Sequence, residues 1–192
     1  GLYDLIGIDL MKDVLASFKK ELQENDPFME VVKPHIIVEK LLEKGFTGNK
    51  GPGGFYETKI IDDNEIVKAL NTSDMSYYDF DKVDLDIARR VEKEGIKALL
   101  NDESEYGRYA FAVLSKIINY SAFCIPEVSS KITDIDDAIR MGFNWNEGPF
   151  ELLVEYGLDN YIHRLQDEGI EVPEVFVTMT RLKQEPYDST SS

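Results

Sequence analysis

The sequence predicts an all-α protein, and three observations predict it. Apolar residues recur at helical spacing through most of the chain, Pro and Gly fall where helices would open and close, and two-residue alternation is scarce outside EVFVTMT at 174–180. Each element follows from local chemistry.

Leu10, Val14, Leu15, Phe18 and Leu22 make one face of a first amphipathic helix, and Ile36, Ile37, Leu41 and Leu42 one face of a second. Pro34 suits the first position of that second helix, and Gly45 suits its left-handed stop. Residues 46–59, FTGNKGPGGFYETK, hold too much Gly and Pro for a helix or a regular strand, so an ordered turn or hinge is expected. A short helix is expected around Glu65 to Leu70. The polar run NTSDMSYYDFD then connects two halves, and the boundary falls there.

Asp81 or Asp84 would cap a helix through DLDIARRVEKEGIKALL, with Leu85, Val91, Leu99 and Leu100 inward. A longer helix follows from about Glu105 to Glu127, apolar nearly all round in its middle and so expected to be buried on most faces. Thr133 with Asp136 resembles a capping box for the next helix, which Gly142 ends; Gly148-Pro149 opens another. The final QEPYDSTSS is polar and expected to fray.

With 37 acidic against 21 basic side chains the formal charge is −16, which excludes a phosphate-backbone partner and disfavours anionic membrane surfaces. No apolar stretch reaches the roughly 18 residues of a membrane span. The N-terminus has no signal-peptide pattern, so a cytoplasmic protein is expected. A single cysteine, Cys124, rules out a disulfide framework and a Cys-rich zinc site.

The chain holds two histidines, His35 and His163, each four residues from a carboxylate on a helical face, at Glu39 and Asp159; two ligands do not close a metal site, so no metal is expected. Cys124, between Phe123 and Ile125, reads as a buried, inert thiol. The run GNKGPGGF matches neither dinucleotide nor phosphate-loop spacing, and no strand precedes it; a turn packing Phe55 and Tyr56 is the better reading. Asp134, Asp136 and Asp137 fit a helix N-terminus. The residues alone supply no nucleophile with a base, no closed metal site and no nucleotide loop.

Sliding the chain on itself by 150 residues sets Gly7-Ile8-Asp9 over Gly157-Leu158-Asp159 and Leu15 over Leu165. The segment DIDDAIRMGFNWNEGPFELLVEYGLD, 134–159, resembles the helical C-terminal domain of 3-hydroxyacyl-CoA dehydrogenases, with its GPFEL residues Gly148, Pro149, Phe150, Glu151 and Leu152 followed by Gly157 and Asp159. Gly7 and Asp9, then Lys50, Gly54, Phe55 and Tyr56 in a G-x-K-x-G-x-GFY-like run, resemble a second copy. The GPFEL residues read as structural: Gly148 permits a close approach, Pro149 starts a helix, Phe150, Leu152 and Leu153 pack inward, and Glu151 complements the dipole.

The resemblance implies two helical bundles, like the C-terminal domain of 6-phosphogluconate dehydrogenase, related by an internal repeat. It divides the chain into 1–59, a first copy truncated at its N-terminus; 60–104, a connection with helices; 105–182, a second, degenerate copy; and 183–192, a tail. It implies a parent enzyme that oxidises L-3-hydroxyacyl-CoA to 3-ketoacyl-CoA in fatty-acid β-oxidation. NAD and the catalytic His, Glu and Ser belong to a Rossmann domain outside these residues, so no catalytic or cofactor-binding residue is expected here. Where the family carries an Asn-Arg pair, this chain has Phe111 and Ala112.

The implied partners are the Rossmann domain, an enoyl-CoA hydratase domain, acyl-CoA and a second copy in a homo-oligomer. A charge of −16 suits an apolar wall for the acyl chain better than a seat for the CoA phosphates. Two rival readings are a freestanding helical interaction module and an acyl-CoA carrier.

Overall fold

The computed structural model describes residues 1–61, 64–80, 84–182 and 186–187. The chain divides into two compact units, Gly1–Val83 and Asp84–Ser192.

In the first unit α1 (Leu2–Ile6) and α2 (Ile8–Glu21) meet at Gly7, followed by a 3-10 turn at Pro27–Glu30 and α3 (Ile36–Glu43). Asp26 caps the 3-10 turn by accepting from Phe28 N at 2.7 Å. His35, not Pro34, is the residue at the entrance of α3, where its Nδ1 faces Ile37 N at 3.4 Å. Gly45 follows the end of that helix with φ 78°, as a left-handed stop requires.

The all-α expectation needs correction here. Strands β1 (Tyr56–Ile61), β2 (Asn64–Leu70) and β3 (Tyr77–Asp79) form an antiparallel sheet in the order β1-β2-β3. Tyr56 lies opposite Ala69, and Ala69 opposite Tyr78. The helix expected over Glu65 to Leu70 is therefore strand β2. A run as short as EIVKAL satisfies helical and strand spacing equally, and its β-branched Ile66 and Val67 side with the strand. Met75, at φ 63°, and the Asn71 and Asp74 side chains, accepting from Ser73 N and Ser76 N at 3.0 and 2.9 Å, make the turn from β2 to β3. Ile8, Leu41 and Leu70 form the small core of this unit, with Phe46, Phe55 and Tyr77 around them.

The second unit is helical: α4 (Asp86–Glu94), α5 (Ile96–Leu100), α6 (Glu105–Phe123), α7 (Ile132–Phe143), α8 (Pro149–Tyr156), α9 (Leu158–Asp167) and α10 (Glu174–Leu182). Gly95, at φ 76°, breaks the expected single helix 84–100 into α4 and α5. Leu85 stands at the N-cap of α4, in place of Asp84; Asp81 lies outside the described residues. The alternating stretch 174–180 folds as α10. Asn144, left-handed at φ 55°, ends α7 in place of Gly142. Helix α6 buries Phe111, Ile118 and Ala122 but leaves Tyr109 exposed, so it is covered on one side only. Its inward residues pack with Phe150, Leu153, Tyr161, Leu165 and Phe176 in one core. Among the described residues no helix is long and apolar enough to cross a membrane.

The segment 60–104, expected as one connection, is shared out: its strands lie in the first unit and its helices in the second. Of the tail, Pro186 is buried and Tyr187 packs against the core of the second unit, while 183–185 and 188–192 lie outside the described residues.

Candidate functional site

The motif residues gather at two helix–glycine–helix corners. In the first unit, Gly7 joins α1 to α2 at φ 110°, ψ 125°, a conformation that only glycine takes without strain. Its N–H donates to Tyr3 O at 2.8 Å, and Met11 N donates to Gly7 O at 3.0 Å. Asp4, on α1, is 1% exposed, and its two carboxylate oxygens accept from Phe55 N at 2.9 Å and Tyr56 N at 2.7 Å. Next to this corner Lys50 Nζ lies 2.6 Å from Asp9 Oδ1, at the first turn of α2. That contact holds the Asp9 carboxyl below its ordinary value.

The glycine-rich run is shaped by Asp4. A Cβ on Gly48 would come 2.4 Å from Asp4 O, and one on Gly54 would come 2.2 Å from Asp4 Oδ1. Four backbone donors of the run are also engaged, within it or on α1: Gly48 N on Gly53 O at 2.9 Å, Asn49 N on Asp4 O at 2.8 Å, Gly51 N on Gly48 O at 2.9 Å and Gly54 N on Tyr56 O at 3.0 Å. A loop that cradles a pyrophosphate needs those N–H groups free. NAD, the cofactor that the resemblance implies for the parent enzyme, does not fit this run.

In the second unit Gly157 joins α8 to α9 at φ 96°, ψ 125°, with Gly157 N donating to Leu153 O at 2.9 Å and Tyr161 N to Gly157 O at 3.0 Å. A carboxylate again locks a glycine turn. Asp136 Oδ1 accepts from Phe150 N at 2.8 Å, and a Cβ on Gly148 would lie 2.3 Å from that oxygen. The Tyr187 hydroxyl donates to Asp136 Oδ2. Burial pushes the Asp136 carboxyl above its ordinary value, against these hydrogen bonds, and pushes the Tyr187 phenol up as well. Asp136 is thus not the capping-box partner of Thr133; α7 opens at Lys131 without a side-chain cap. Glu151 caps α8, accepting from Gly148 N at 2.7 Å, and binds Arg140 at 2.9 Å.

The remaining candidates stand apart from these corners. His35 and His163 are exposed, and the described residues hold no group of three metal-ligating side chains. Cys124 is half-buried at the end of α6, beside a cavity of about 340 Å³ between α6 and α7. Tyr120, Val128, Ile135 and Ile139 line that cavity, and Asp134, bonded to Ser129 Oγ at 2.7 Å, stands at it. Phe111, where the resemblance implies an Asn, is 2% exposed. Its ring lies 6.5 Å from Tyr156 and 6.0 Å from Tyr161, with the Arg164 guanidinium over it at 4.8 Å.

Over 161 residues the chain is 34% identical to a Rickettsia felis protein named as a fatty acid oxidation complex trifunctional enzyme, covering 84% of the chain and 22% of that protein. A protein of the same name from Rickettsia prowazekii is 33% identical over 153 residues, 80% of the chain and 20% of that protein. A Bacillus subtilis protein named as a 3-hydroxyacyl-CoA dehydrogenase is 27% identical over 175 residues, 88% of the chain and 21% of that protein. The chain is a relative of these three proteins, two named for fatty acid oxidation and one as a 3-hydroxyacyl-CoA dehydrogenase. It spans about a fifth of the length of each of these three relatives. No protein-family model matches it, and no solved structure matches it.

Of the motif residues that the sequence resemblance singles out, Phe150 and Leu152 are buried, with Gly148 and Pro149 beside them. Phe55 sets its ring edge-on to Tyr3 at 5.9 Å, and Tyr56 its ring edge-on to Phe80 at 5.7 Å. Asp159, 150 residues after Asp9, is exposed and meets no cation among the described residues. Asp4, Arg140 and Tyr187 were not singled out by the motifs. An acid within the apolar LYDLI was the signal available for Asp4.

Proposed function

We propose that the chain is the helical, substrate-side and association region of an NAD-dependent 3-hydroxyacyl-CoA dehydrogenase, built as two related copies and not catalytic by itself. The observation that carries this reading is the likeness to dehydrogenase-type relatives over 80–88% of the chain, set against only 20–22% of their length. The two corners support the tandem arrangement: one backbone geometry recurs at Gly7 and Gly157. Phe111 supports a structural second copy, because a buried ring occupies the place where the resemblance puts an Asn.

The parent reaction converts L-3-hydroxyacyl-CoA to 3-ketoacyl-CoA, with hydride passing to NAD on a separate nucleotide-binding domain. This chain supplies packing surface. The cavity beside Cys124 accepts an apolar group, and the nearby Asp134 disfavours the phosphates of CoA, so phosphate contacts fall to other parts of the enzyme.

The test is an assay with acetoacetyl-CoA and NADH on two proteins, the 192-residue chain and the full-length product of its gene. Turnover by the second alone is expected. Robust turnover by the 192 residues would overturn the reading, as would a full-length protein without dehydrogenase activity, which is the outcome for a freestanding interaction module.

A further inference from the structure

Gly95, at φ 76°, joins α4 to α5, and α5 opens at Ile96 without a capping side chain of its own. The acceptor for that first amide comes from another helix: Glu155 Oε1, on α8, accepts from Ile96 N at 2.8 Å. The approach is close, since a Cβ on Gly95 would lie 2.2 Å from the same oxygen. Ile96 and Leu100 of α5 pack with Leu153 and Tyr156 of α8 in one core. A single carboxylate thus fastens the α4–α5 joint to α8.

The same carboxylate meets a second acid. Glu147, half-buried just ahead of α8, sets its carboxyl within hydrogen-bond reach of Glu155. Burial and the Glu155 charge push the Glu147 carboxyl above its ordinary value, and Glu151 adds to the push. No cation relieves the pair. From α7, Arg140 is taken by Glu151 at 2.9 Å and Asp137 at 2.7 Å, and from α9, Arg164 is taken by Glu168 at 2.9 Å. Arg90 of α4 pairs with Asp102, and Lys93 and Lys97 of α4 and α5 form no ion pair among the described residues. Two ionised carboxylates that touch without a cation repel, so a proton settles between them.

We propose that Glu147 and Glu155 share one proton, and that this proton closes a pH-sensitive clasp between α8 and the α4–α5 joint. With the proton in place, the Glu147 carboxyl donates to the Glu155 carboxylate, which stays seated on Ile96 N. When the proton leaves to solvent, the two charges drive the carboxylates apart, Ile96 N loses its acceptor, and α4 is free to turn at Gly95. The clasp is tight below the ordinary glutamate value of about 4.5 and loosens as pH rises through the raised value of the folded chain. The inference rests neither on the acyl-CoA chemistry nor on the two-copy reading.

Amide hydrogen exchange of the 192-residue chain, read by NMR between about pH 4 and pH 7, tests it once each rate is divided by the intrinsic rate of that amide. Leu165, fully buried in the core, reports opening of the whole unit. Across the range the protection of Ile96 and Ala98 should fall about tenfold more than that of Leu165. Glu147→Gln keeps a donor for Glu155 and cannot titrate, so in that variant the three amides should change together. A fall at Ile96 no greater than at Leu165 would overturn the inference, as would a selective fall that persists in Glu147→Gln. The carboxyl carbon shifts of Glu147 and Glu155 give a second reading, because coupled groups titrate together; a Glu147 that titrates alone at its ordinary value would also overturn it. None of these readouts involves turnover, so a failed dehydrogenase assay and a failed clasp test remain distinct.

Discussion

Gly7 and Gly157, 150 residues apart, hold nearly the same backbone conformation, φ/ψ 110°/125° and 96°/125°, and each joins two helices by the same pair of hydrogen bonds. A side chain at either position is strained whatever space surrounds it. Gly157→Ala should therefore cost about 1–3 kcal/mol of stability. Gly7→Ala should cost more, since its Cβ would also come 2.8 Å from Lys50 Nζ and disturb the Asp9–Lys50 pair. Urea unfolding of both variants checks the magnitude and the order.

The lock between Asp4 and the glycine-rich run predicts a different pattern. Gly54 has no positive φ, so Gly54→Ala acts through the close approach of its Cβ to the Asp4 carboxylate, 2.2 Å from Oδ1, and to Gly48 Cα at 3.0 Å. Backbone and a buried carboxylate cannot yield cheaply, and a loss of about 3 kcal/mol or more is expected. Asp4→Ala strands the N–H groups of Phe55 and Tyr56 and should cost about 2–4 kcal/mol. If the variants act on one lock, the double variant will lose less than the sum, which a double-mutant cycle measures.

How far the sequence revealed this follows from what each residue depends on. The amphipathic helices α2 and α3 and the start of α8 at Gly148-Pro149 were legible because their signals are local: apolar spacing, a cap and a proline at a first turn. Strands β1 to β3 were not, because six or seven residues hold too few periods to separate two spacings, and pairing is decided by the partner strand. The glycine-rich run was legible as a turn. Its purpose was not, since Asp4 lies 50 residues from Gly54 in sequence and meets it only in the fold. Asp136 was misread for the same reason: a carboxylate in a first helical turn usually serves that helix, and this one serves the turn before α8.

Asp136 also sets a pH dependence. Its carboxyl is raised by burial, so the folded state binds a proton more tightly than the unfolded chain does. Stability from this group is fully present below its ordinary pKa of about 4 and is lost as pH rises toward the folded value. Glu147, raised by burial and by Glu155, acts with the same sign. Asp9, lowered by Lys50, has the opposite sign, but its contribution is lost only as pH falls below the ordinary carboxylate range. Between about pH 4 and pH 7 the unfolding free energy of the native protein should therefore fall with a steeper slope than that of Asp136→Asn. Urea titrations across that range, run on both proteins, compare the two slopes; parallel curves would remove Asp136 from the account.

The last prediction concerns Phe111, which the resemblance sets at an Asn position. If that place retained a latent site, Phe111→Asn would recover function; the packing argues otherwise. The ring is 2% exposed, contacts Tyr156 and Tyr161, and carries the Arg164 guanidinium over its face. Arg164 is held in turn by Glu168 at 2.9 Å and Leu100 O at 3.3 Å. An Asn there would leave a cavity and bury an amide among apolar side chains, so a loss of about 3–5 kcal/mol is expected, with no gain in turnover by the full-length protein. Phe111→Leu keeps most of the volume and loses the ring's contact with Arg164, and should cost about 1–2 kcal/mol. Unfolding midpoints of the two variants rank them, and a turnover assay on Phe111→Asn at a temperature where it remains folded separates loss of structure from loss of chemistry. A rise in activity in that variant would mean the second copy keeps a functional pocket that Phe111 plugs.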